Sequence, residues 1–238
     1  MVMLSIVIGC YNEEESLPQL FYQIKKMVGM LYSSYNFDFV FVDDGSKDKT
    51  YDMLLDFKKK ISDKKTNVTI LQHKTNKNLG AALKTGFKNI KGDLVVTADA
   101  DCTYSLLDVP KLLSYLDKST DIVIASPYHP EGTSVIRPKY RLFLSKAISK
   151  IYGVITGSKI HTFTAIFRVY RRKVIDNIQI KSDGFIAVTE LLVYAIKKGY
   201  KVKEMPAHLT VRKYGISKMR LLSTIWSHLS LIIKLLFS

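Results

Sequence analysis

Short apolar runs alternate with helix-like stretches over the first 125 residues, and this alternation constrains the fold more than any other feature. The runs are rich in β-branched residues and continuous, as in strands that are buried on both faces. They are Leu4–Ile8, Phe39–Val42, Val68–Leu71, Leu94–Thr97 and Ile122–Ala125. Helical periodicity fills the intervals at Glu14–Tyr32, Thr50–Lys60, Gly80–Asn89 and Leu107–Tyr115. The sequence therefore predicts an α/β fold with a mostly parallel central sheet flanked by helices.

The composition is that of a globular protein. The chain has 238 residues, of which 47% are hydrophobic and 24% charged, and this excludes disordered and collagen-like classes. Its two cysteines, Cys10 and Cys102, are too few for a disulfide framework and indicate a reducing, cytoplasmic setting. The apolar run Met1–Cys10 leads straight into polar residues, so we expect no signal peptide. We find no repeat or linker and expect one domain over residues 1–238.

The pattern loosens after residue 125. Ser126–Lys139 contains three prolines and is predicted to be a long surface loop. The elements predicted beyond it are a basic amphipathic helix at Lys139–Ile155, a strand at Thr164–Val169, a helix at Ile186–Lys198, a strand at Lys201–Glu204 and a C-terminal amphipathic helix at 219–238.

Basic residues concentrate in the second half of the chain. Residues 1–120 hold 16 Lys+Arg against 15 Asp+Glu, whereas residues 121–238 hold 20 against 6 and contain every arginine. Arginine is suited to bidentate phosphate recognition, so an acidic, phosphorylated partner is expected to meet this half. A solvated basic face is the alternative. We do not expect that partner to be a nucleic acid.

Three polar loops follow predicted strands and are expected to converge at one edge of the sheet. They are Gly9–Glu13, Asp43–Ser46 and Ala98–Asp101. The four carboxylates of Asp43, Asp44, Asp99 and Asp101 would repel one another unless a positive group lies among them. Because Asp99 and Asp101 are one residue apart at a strand end, both can approach one hard cation, so we expect Mg²⁺ or Mn²⁺ there. A chance pair of surface carboxylates is the alternative.

Four motifs occur in order along the chain: Ser5–Ile8 with Tyr11-Asn12-Glu13, Val42-Asp43-Asp44-Gly45-Ser46, Asp99-Ala100-Asp101, and Arg212-Lys213-Tyr214-Gly215-Ile216-Ser217-Lys218. Together they resemble the inverting family 2 glycosyltransferases of the GT-A fold, and most of all the dolichyl-phosphate mannose synthase group. The resemblance implies a nucleotide-sugar donor, with GDP-mannose favoured, a divalent metal and a polyprenyl phosphate acceptor at the cytosolic membrane face. It also implies a nucleotide-sugar-binding half over 1–125 and an acceptor-side half over 126–218.

The resemblance further assigns roles to individual residues. It places Tyr11, Glu13, Val42 and Asp44 around the base and ribose, Asp99 and Ala100 along the donor, and Asp99 with Asp101 at the metal. It places Arg212 and Lys218 over the donor diphosphate, and Arg141 with Ser145 at the acceptor phosphate. The alternatives are a packed loop aromatic for Tyr11, a helix cap for Asp43, a basic linker for the Arg212 segment and a solvated helix charge for Arg141.

The predicted C-terminal helix has one apolar side and several internal cations. It is too polar to span a bilayer and is expected to lie in the membrane interface. The alternative is a helix packed on the core or on a second subunit, and firm anchoring is expected from surface helices, charge, a membrane-anchoring partner or a homo-oligomer.

Two other functions stay open. One is transfer to a glycan or glycolipid hydroxyl, for which Asp183 or Glu190 would be the base. The other is binding of a nucleotide sugar or acidic lipid without turnover.

Overall fold

A computed structural model describes residues 1–135, 139–214 and 221–237. The strands are β1 Val2–Cys10, β2 Tyr35–Asp43, β3 Thr66–Gln72, β4 Leu94–Asp99, β5 Ile122–Ser126, β6 Thr133–Ser134, β7 Arg168–Arg171, β8 Val202–Pro206 and β9 His208–Leu209. The helices are α1 Leu17–Leu31, α2 Thr50–Ile61, α3 Leu79–Phe87, α4 Val109–Ser114, α5 Lys139–Thr156, α6 Arg172–Asn177, α7 Ile186–Lys197 and α8 Leu221–Leu236.

The described residues form a seven-stranded sheet in the order β3-β2-β1-β4-β7-β5-β8, with β6 and β9 paired apart from it. All neighbouring pairs are parallel except those of β7, which runs antiparallel to β4 and β5. The predicted α/β architecture is therefore confirmed. From β1 the chain builds outward to β2 and β3 and then returns to β4 on the other side of β1. The carboxyl ends of β1 and β4 thus mark a switch point, where such sheets bind ligands.

The core follows from the apolar runs. Residues Leu4, Ile6, Val7 and Ile8 of β1 are fully buried, because β1 lies inside the sheet and has helices packed over it. The β2 residues 39–42 are buried in the same way, with Phe39 stacked on Phe41. Continuous apolar strands are what a two-sided burial requires.

Two predicted elements differ from those observed. The strand expected at Thr164–Val169 begins only at Arg168, because the preceding segment bonds to side chains: Ser145 Oγ lies 2.7 Å from Thr164 Oγ1, and Thr97 Oγ1 donates to the Ile166 carbonyl at 2.5 Å. The helix expected at Leu107–Tyr115 is split. A 3₁₀ turn at Leu106–Asp108 precedes α4, whose first turn carries a proline.

Helices α5, α7 and α8 pack against one another beside the sheet. The Tyr152 hydroxyl of α5 is 3.1 Å from Nδ1 of His228 in α8. Among the described residues, no helix is both long and apolar enough to cross a membrane. The outward sides of α5 and α8 nevertheless expose large apolar side chains, which we call the apolar face: Phe143, Val154, Leu222, Trp226, Ile233 and Leu236.

Candidate active site

A cleft of about 810 Å³ opens at the carboxyl ends of β1 and β4. Its wall includes residues from the loops after β1, β2 and β4, from the start of α3 and from α8. The predicted site residues that line it are Tyr11, Glu13, Asp44, Asp99, Ala100, Asp101 and Arg212. The three polar loops therefore converge on one cleft, as predicted.

The loops after β1 and β2 are tied into one unit. Asn12 donates its backbone N–H to Ser46 Oγ at 2.9 Å, and its side-chain Oδ1 accepts the Lys47 N–H at 2.7 Å. Glu13 donates its backbone N–H to Thr50 Oγ1 at 2.7 Å, at the start of α2. Asn12 has φ 51°, a left-handed conformation that asparagine tolerates better than most residues. These bonds hold Tyr11 and Glu13 at the cleft.

Arg212 supplies the positive group that the acidic loops require. Its Nε lies 2.9 Å and its Nη2 2.8 Å from Asp101 Oδ2, and Nη2 lies 3.2 Å from Glu13 Oε1. Although burial opposes its charge, Asp101 and Glu13 raise the pKa of Arg212. The guanidinium of Arg212 therefore neutralises part of the negative charge that Asp101 and Glu13 bring to the cleft.

The carboxylates after β4 fit a divalent cation. Burial and the adjacent Asp101 charge raise the pKa of Asp99 well above its usual range, and in the described part of the chain no group donates a hydrogen bond to its carboxylate. Asp101 uses one oxygen for the Thr103 N–H and the other for Arg212. In residues 1–135, 139–214 and 221–237 no three His, Cys, Asp or Glu side chains are grouped to hold a metal. A cation on Asp99 and Asp101 would therefore keep positions open for other oxygen ligands.

The two acidic residues after β2 have different partners. Asp44 Oδ1 is 2.6 Å from His73 Nδ1 and accepts the Lys77 N–H at 2.9 Å, so this carboxylate is held at the cleft. Asp43 accepts the Ser46 N–H at 3.3 Å and the Gln72 amide at 3.0 Å, and it does not line the cleft. Asp43 is thus a local hydrogen-bond acceptor, and the alternative that it caps the following helix is wrong, because α2 begins at Thr50 with Lys49 as its N-cap residue.

His73 is a site residue that sequence reasoning missed. Its second ring nitrogen lies 2.9 Å from Thr85 Oγ1 of α3, so the ring joins α3 to Asp44. The five histidines of the chain have no metal-ligand spacing, so the sequence pattern alone does not mark His73. The available signal was position, because His73 follows β3 directly, as the polar loops follow β1, β2 and β4.

Val42 and Lys218 complete the set of predicted donor residues. Val42 is fully buried within β2 and does not line the cleft, so its side chain cannot contact a nucleotide and only its backbone remains available. The placement of Val42 near the base and ribose stays a prediction. Lys218 lies outside the described residues.

A second cavity of about 440 Å³ adjoins the cleft. Leu79, Asp99, Phe185 and Thr224 line both spaces. Helices α5, α7 and α8 contribute eight of its apolar lining residues: Leu144, Ala147, Ile148, Ile151, Val188, Leu221, Ile225 and Leu229. Arg141 and Ser145 line this cavity together, as one face of α5 should present residues four apart.

The two candidate bases are engaged elsewhere. Glu190 is buried and accepts the backbone N–H groups of Lys181 at 3.2 Å and Ser182 at 2.9 Å. Asp183 is 2.5 Å from Lys84 Nζ, with 62% of its side chain exposed. Neither residue lines the cleft or the apolar cavity.

Three known proteins are similar in sequence to this chain over most of its length. The chain is 33% identical over 221 residues to polyprenol monophosphomannose synthase of Mycolicibacterium smegmatis, covering 90% of this chain and 80% of that protein. It is 31% identical over 219 residues to dolichol-phosphate mannosyltransferase of Pyrococcus furiosus, covering 91% and 59%. It is 30% identical over 227 residues to undecaprenyl-phosphate 4-deoxy-4-formamido-L-arabinose transferase of Enterobacter sp., covering 93% and 65%. The chain thus spans less than two thirds of the length of two of these relatives.

Solved structures agree in fold. Glucosyl-3-phosphoglycerate synthase from Mycobacterium tuberculosis, in complex with Mn²⁺, uridine diphosphate and glucosyl-3-phosphoglycerate, superposes with a TM-score of 0.68 at 16% identity, over 99% of this chain and 78% of that one. This likeness bears on the fold alone and confirms the expected GT-A architecture. The family model described as "Glycosyl transferase family 2" matches residues 5–179. The chain belongs to glycosyl transferase family 2.

Proposed function

We propose that this chain is a metal-dependent inverting glycosyltransferase. It moves a sugar, with mannose favoured, from a nucleotide-sugar donor to a polyprenyl phosphate at the cytosolic face of a membrane. The observation that carries the proposal is that the acidic cleft adjoins an apolar cavity in which Arg141 and Ser145 are the expected phosphate ligands. A polar cleft suits a nucleotide sugar, and an apolar cavity suits a lipid chain. The names of the polyprenol and dolichol relatives support the same acceptor.

The donor is proposed to lie along the carboxyl ends of β1 and β4. Tyr11 offers a ring on which a base can stack, and the carboxylates of Glu13 and Asp44 can accept from a base N–H or a ribose hydroxyl. Asp99 and Ala100 line the same cleft, and Asp99 also lines the apolar cavity. The names of two relatives support mannose as the transferred sugar, and GDP-mannose is the donor that we favour.

Asp99 and Asp101 are proposed to hold Mg²⁺ or Mn²⁺. When bound, such a cation neutralises charge on the departing diphosphate. Arg212 and Lys218 are proposed to add positive charge to the same leaving group, which stabilises it most when its bond to the sugar is breaking. The metal-containing crystals of the fold relatives support this proposal.

Arg141 and Ser145 are proposed to hold the acceptor phosphate. This phosphate is already anionic at neutral pH, so one of its oxygens can attack the anomeric carbon directly. The new C–O bond forms on the face opposite the leaving diphosphate, the old C–O bond breaks with its electron pair on the nucleotide, and the configuration inverts. No side chain has to remove a proton. The engagement of Asp183 and Glu190 away from both cavities therefore supports a phosphate over a hydroxyl acceptor.

The membrane surface is proposed to be met by the apolar face of α5 and α8. Trp226 is exposed and lies in the basic second half of the chain. An exposed tryptophan together with basic residues is typical of a peripheral helix at headgroup level. A second copy of the chain or a membrane-anchoring protein is the alternative cover for this face. In this proposal residues 1–238 act as one domain.

An acceptor comparison tests the proposed function. The chain is incubated with Mn²⁺ and GDP-mannose, and in parallel with UDP-glucose, using a short polyprenyl phosphate, the matching prenol and a mannose oligosaccharide as acceptors. We expect a product only with the prenyl phosphate and more of it with GDP-mannose. Product with the prenol or the oligosaccharide would support the hydroxyl alternative, and nucleotide binding without any product would support the binding protein.

A further inference from the structure

We propose that Arg212 is an internal counter-ion that occupies the Asp101 carboxylate of the metal site proposed at Asp99 and Asp101, so that a divalent cation must displace it in order to bind. The affinity for the metal is then set by Arg212 as well as by the carboxylates. This inference rests on the proposed role of Asp101 as a metal ligand, and it adds a function for Arg212 that precedes any contact with the donor diphosphate.

The geometry places one nitrogen between two acids. Nη2 of Arg212 lies 2.8 Å from Asp101 Oδ2 and 3.2 Å from Glu13 Oε1, while Nε lies 2.9 Å from the same Asp101 oxygen. Nη2 of Arg212 therefore lies within reach of two carboxylates that come from different loops. The side chain of Arg212 is 21% exposed, and those of Glu13 and Asp101 are 9% and 12% exposed. This burial makes the ion pairs stronger than surface pairs.

Arg212 and a metal ion compete for the same oxygen. Both guanidinium contacts to Asp101 end on Oδ2, and the other oxygen, Oδ1, accepts the Thr103 N–H. A divalent cation binds carboxylate oxygens at about 2.0–2.6 Å, so it cannot share Oδ2 with two N–H donors without displacing them. If Arg212 leaves the site free in only a fraction of the molecules, the apparent dissociation constant for the metal equals the intrinsic constant divided by that fraction.

This competition has a consequence for the order of events. While Arg212 is bound to Asp101 and Glu13, its guanidinium is committed to these acids and does not serve the donor. A cation that takes over Asp101 releases the guanidinium at the wall of the cleft, where a diphosphate would lie. One displacement therefore completes the metal site and frees a cation for the leaving group.

Mn²⁺ titration in the absence of any nucleotide tests the proposal, with loss of the free Mn²⁺ EPR signal as the readout. We expect Arg212→Gln to bind Mn²⁺ about tenfold more tightly than the wild type, the scale of a partly buried ion pair that no longer has to be broken. Lys213→Gln is the matched control, because it removes the same charge one residue away from an exposed side chain. It should change the affinity by less than twofold.

Asp101→Asn separates this inference from the proposed function. If Asp101→Asn weakens Mn²⁺ binding while Arg212→Gln equals the wild type, Arg212 does not hold the metal position and the inference is wrong. If Asp101→Asn binds Mn²⁺ as the wild type does, Asp101 is not a metal ligand, and both the proposed metal site and this inference are wrong. Equal tightening by Lys213→Gln and Arg212→Gln would also overturn the inference, since general charge would then explain the effect. Circular dichroism of each variant checks that it is folded.

Discussion

His73 Nδ1 lies 2.6 Å from Asp44 Oδ1, and this contact joins the end of β3 to the end of β2 beside the cleft. The other ring nitrogen lies 2.9 Å from Thr85 Oγ1 of α3. Both side chains of the pair are less than a tenth exposed. The imidazole thus fixes the direction in which the Asp44 carboxylate faces a donor nucleotide.

Replacing His73 should therefore weaken donor binding without disabling the reaction. We expect His73→Phe to raise the donor KM about tenfold, the scale of one lost hydrogen bond to a charged group, with a smaller change in kcat. His73→Gln keeps a donor for Asp44 and should recover part of the loss. Steady-state kinetics with varied donor measures both variants. A fall in kcat at unchanged KM would show that Asp44 does not contact the donor ground state.

Arg141 should control the acceptor side alone. Arg141→Gln is expected to raise the KM for polyprenyl phosphate by about 10²-fold, because charge-assisted contacts to a phosphate contribute roughly 1.5–3 kcal/mol. The donor KM should stay within twofold. Lys150→Gln removes the same charge from an exposed position of α5 and serves as the control. If both variants lose acceptor affinity equally, the basic helix acts as a general attraction and Arg141 is a solvated charge.

Acidification should lower the stability of the fold through His228 of α8. Burial lowers the pKa of His228 from its ordinary value of 6.5 to about 4, so the unfolded chain binds more protons than the folded one between those values. Stability is therefore fully present above about pH 6.5 and is lost as the pH falls toward 4, by an amount on the order of 2 kcal/mol. Thermal melts from pH 7.5 to 4.5 measure it.

A histidine control separates His228 from general acid effects. His228→Gln should flatten the pH dependence in this window, whereas His208→Gln, at an exposed position, should leave it unchanged. An unaltered slope in His228→Gln would mean that other groups dominate the acid response.

Membrane binding should need both charge and the apolar face. We expect the wild type to co-sediment with anionic vesicles at low salt and to stay bound in part as salt rises, because apolar insertion is not screened. Trp226→Ser with Ile233→Ser should bind at low salt and dissociate at high salt. The control pair Tyr22→Ser with Met30→Ser removes exposed apolar side chains from α1. Indifference of the wild type to anionic vesicles at low salt would favour a soluble acceptor.

The part of the fold that sequence reasoning predicted is the part set by local pattern. Strands β1 to β5 follow from continuous apolar runs, and α5, α7 and α8 from helical periodicity. The position of β7 between β4 and β5 does not follow, since antiparallel insertion depends on where the chain returns after more than forty residues. The predicted start of β7 was too early, because the backbone carbonyl of Ile166 accepts the Thr97 hydroxyl and β7 begins only at Arg168.

The sequence predicted most of the residues that line the candidate site, but it did not predict which residues they pair with. Adjacent acids after strands locate the cleft, because parallel strands end at one edge. The pairing of Arg212 with Asp101 joins residues 111 positions apart and appears only in the fold. The same holds for His73 with Asp44, and no spacing rule marks either pair.

The central claim is transfer of the sugar to a lipid phosphate, and ³¹P NMR of the complete reaction tests it most directly. With GDP-mannose, Mn²⁺ and a short polyprenyl phosphate, the monoester resonance of the acceptor should fall while a phosphodiester resonance and free nucleoside diphosphate rise in equal amounts. Asp101→Asn or removal of the metal should stop all three changes. Release of nucleoside diphosphate while the acceptor stays a monoester would contradict the account.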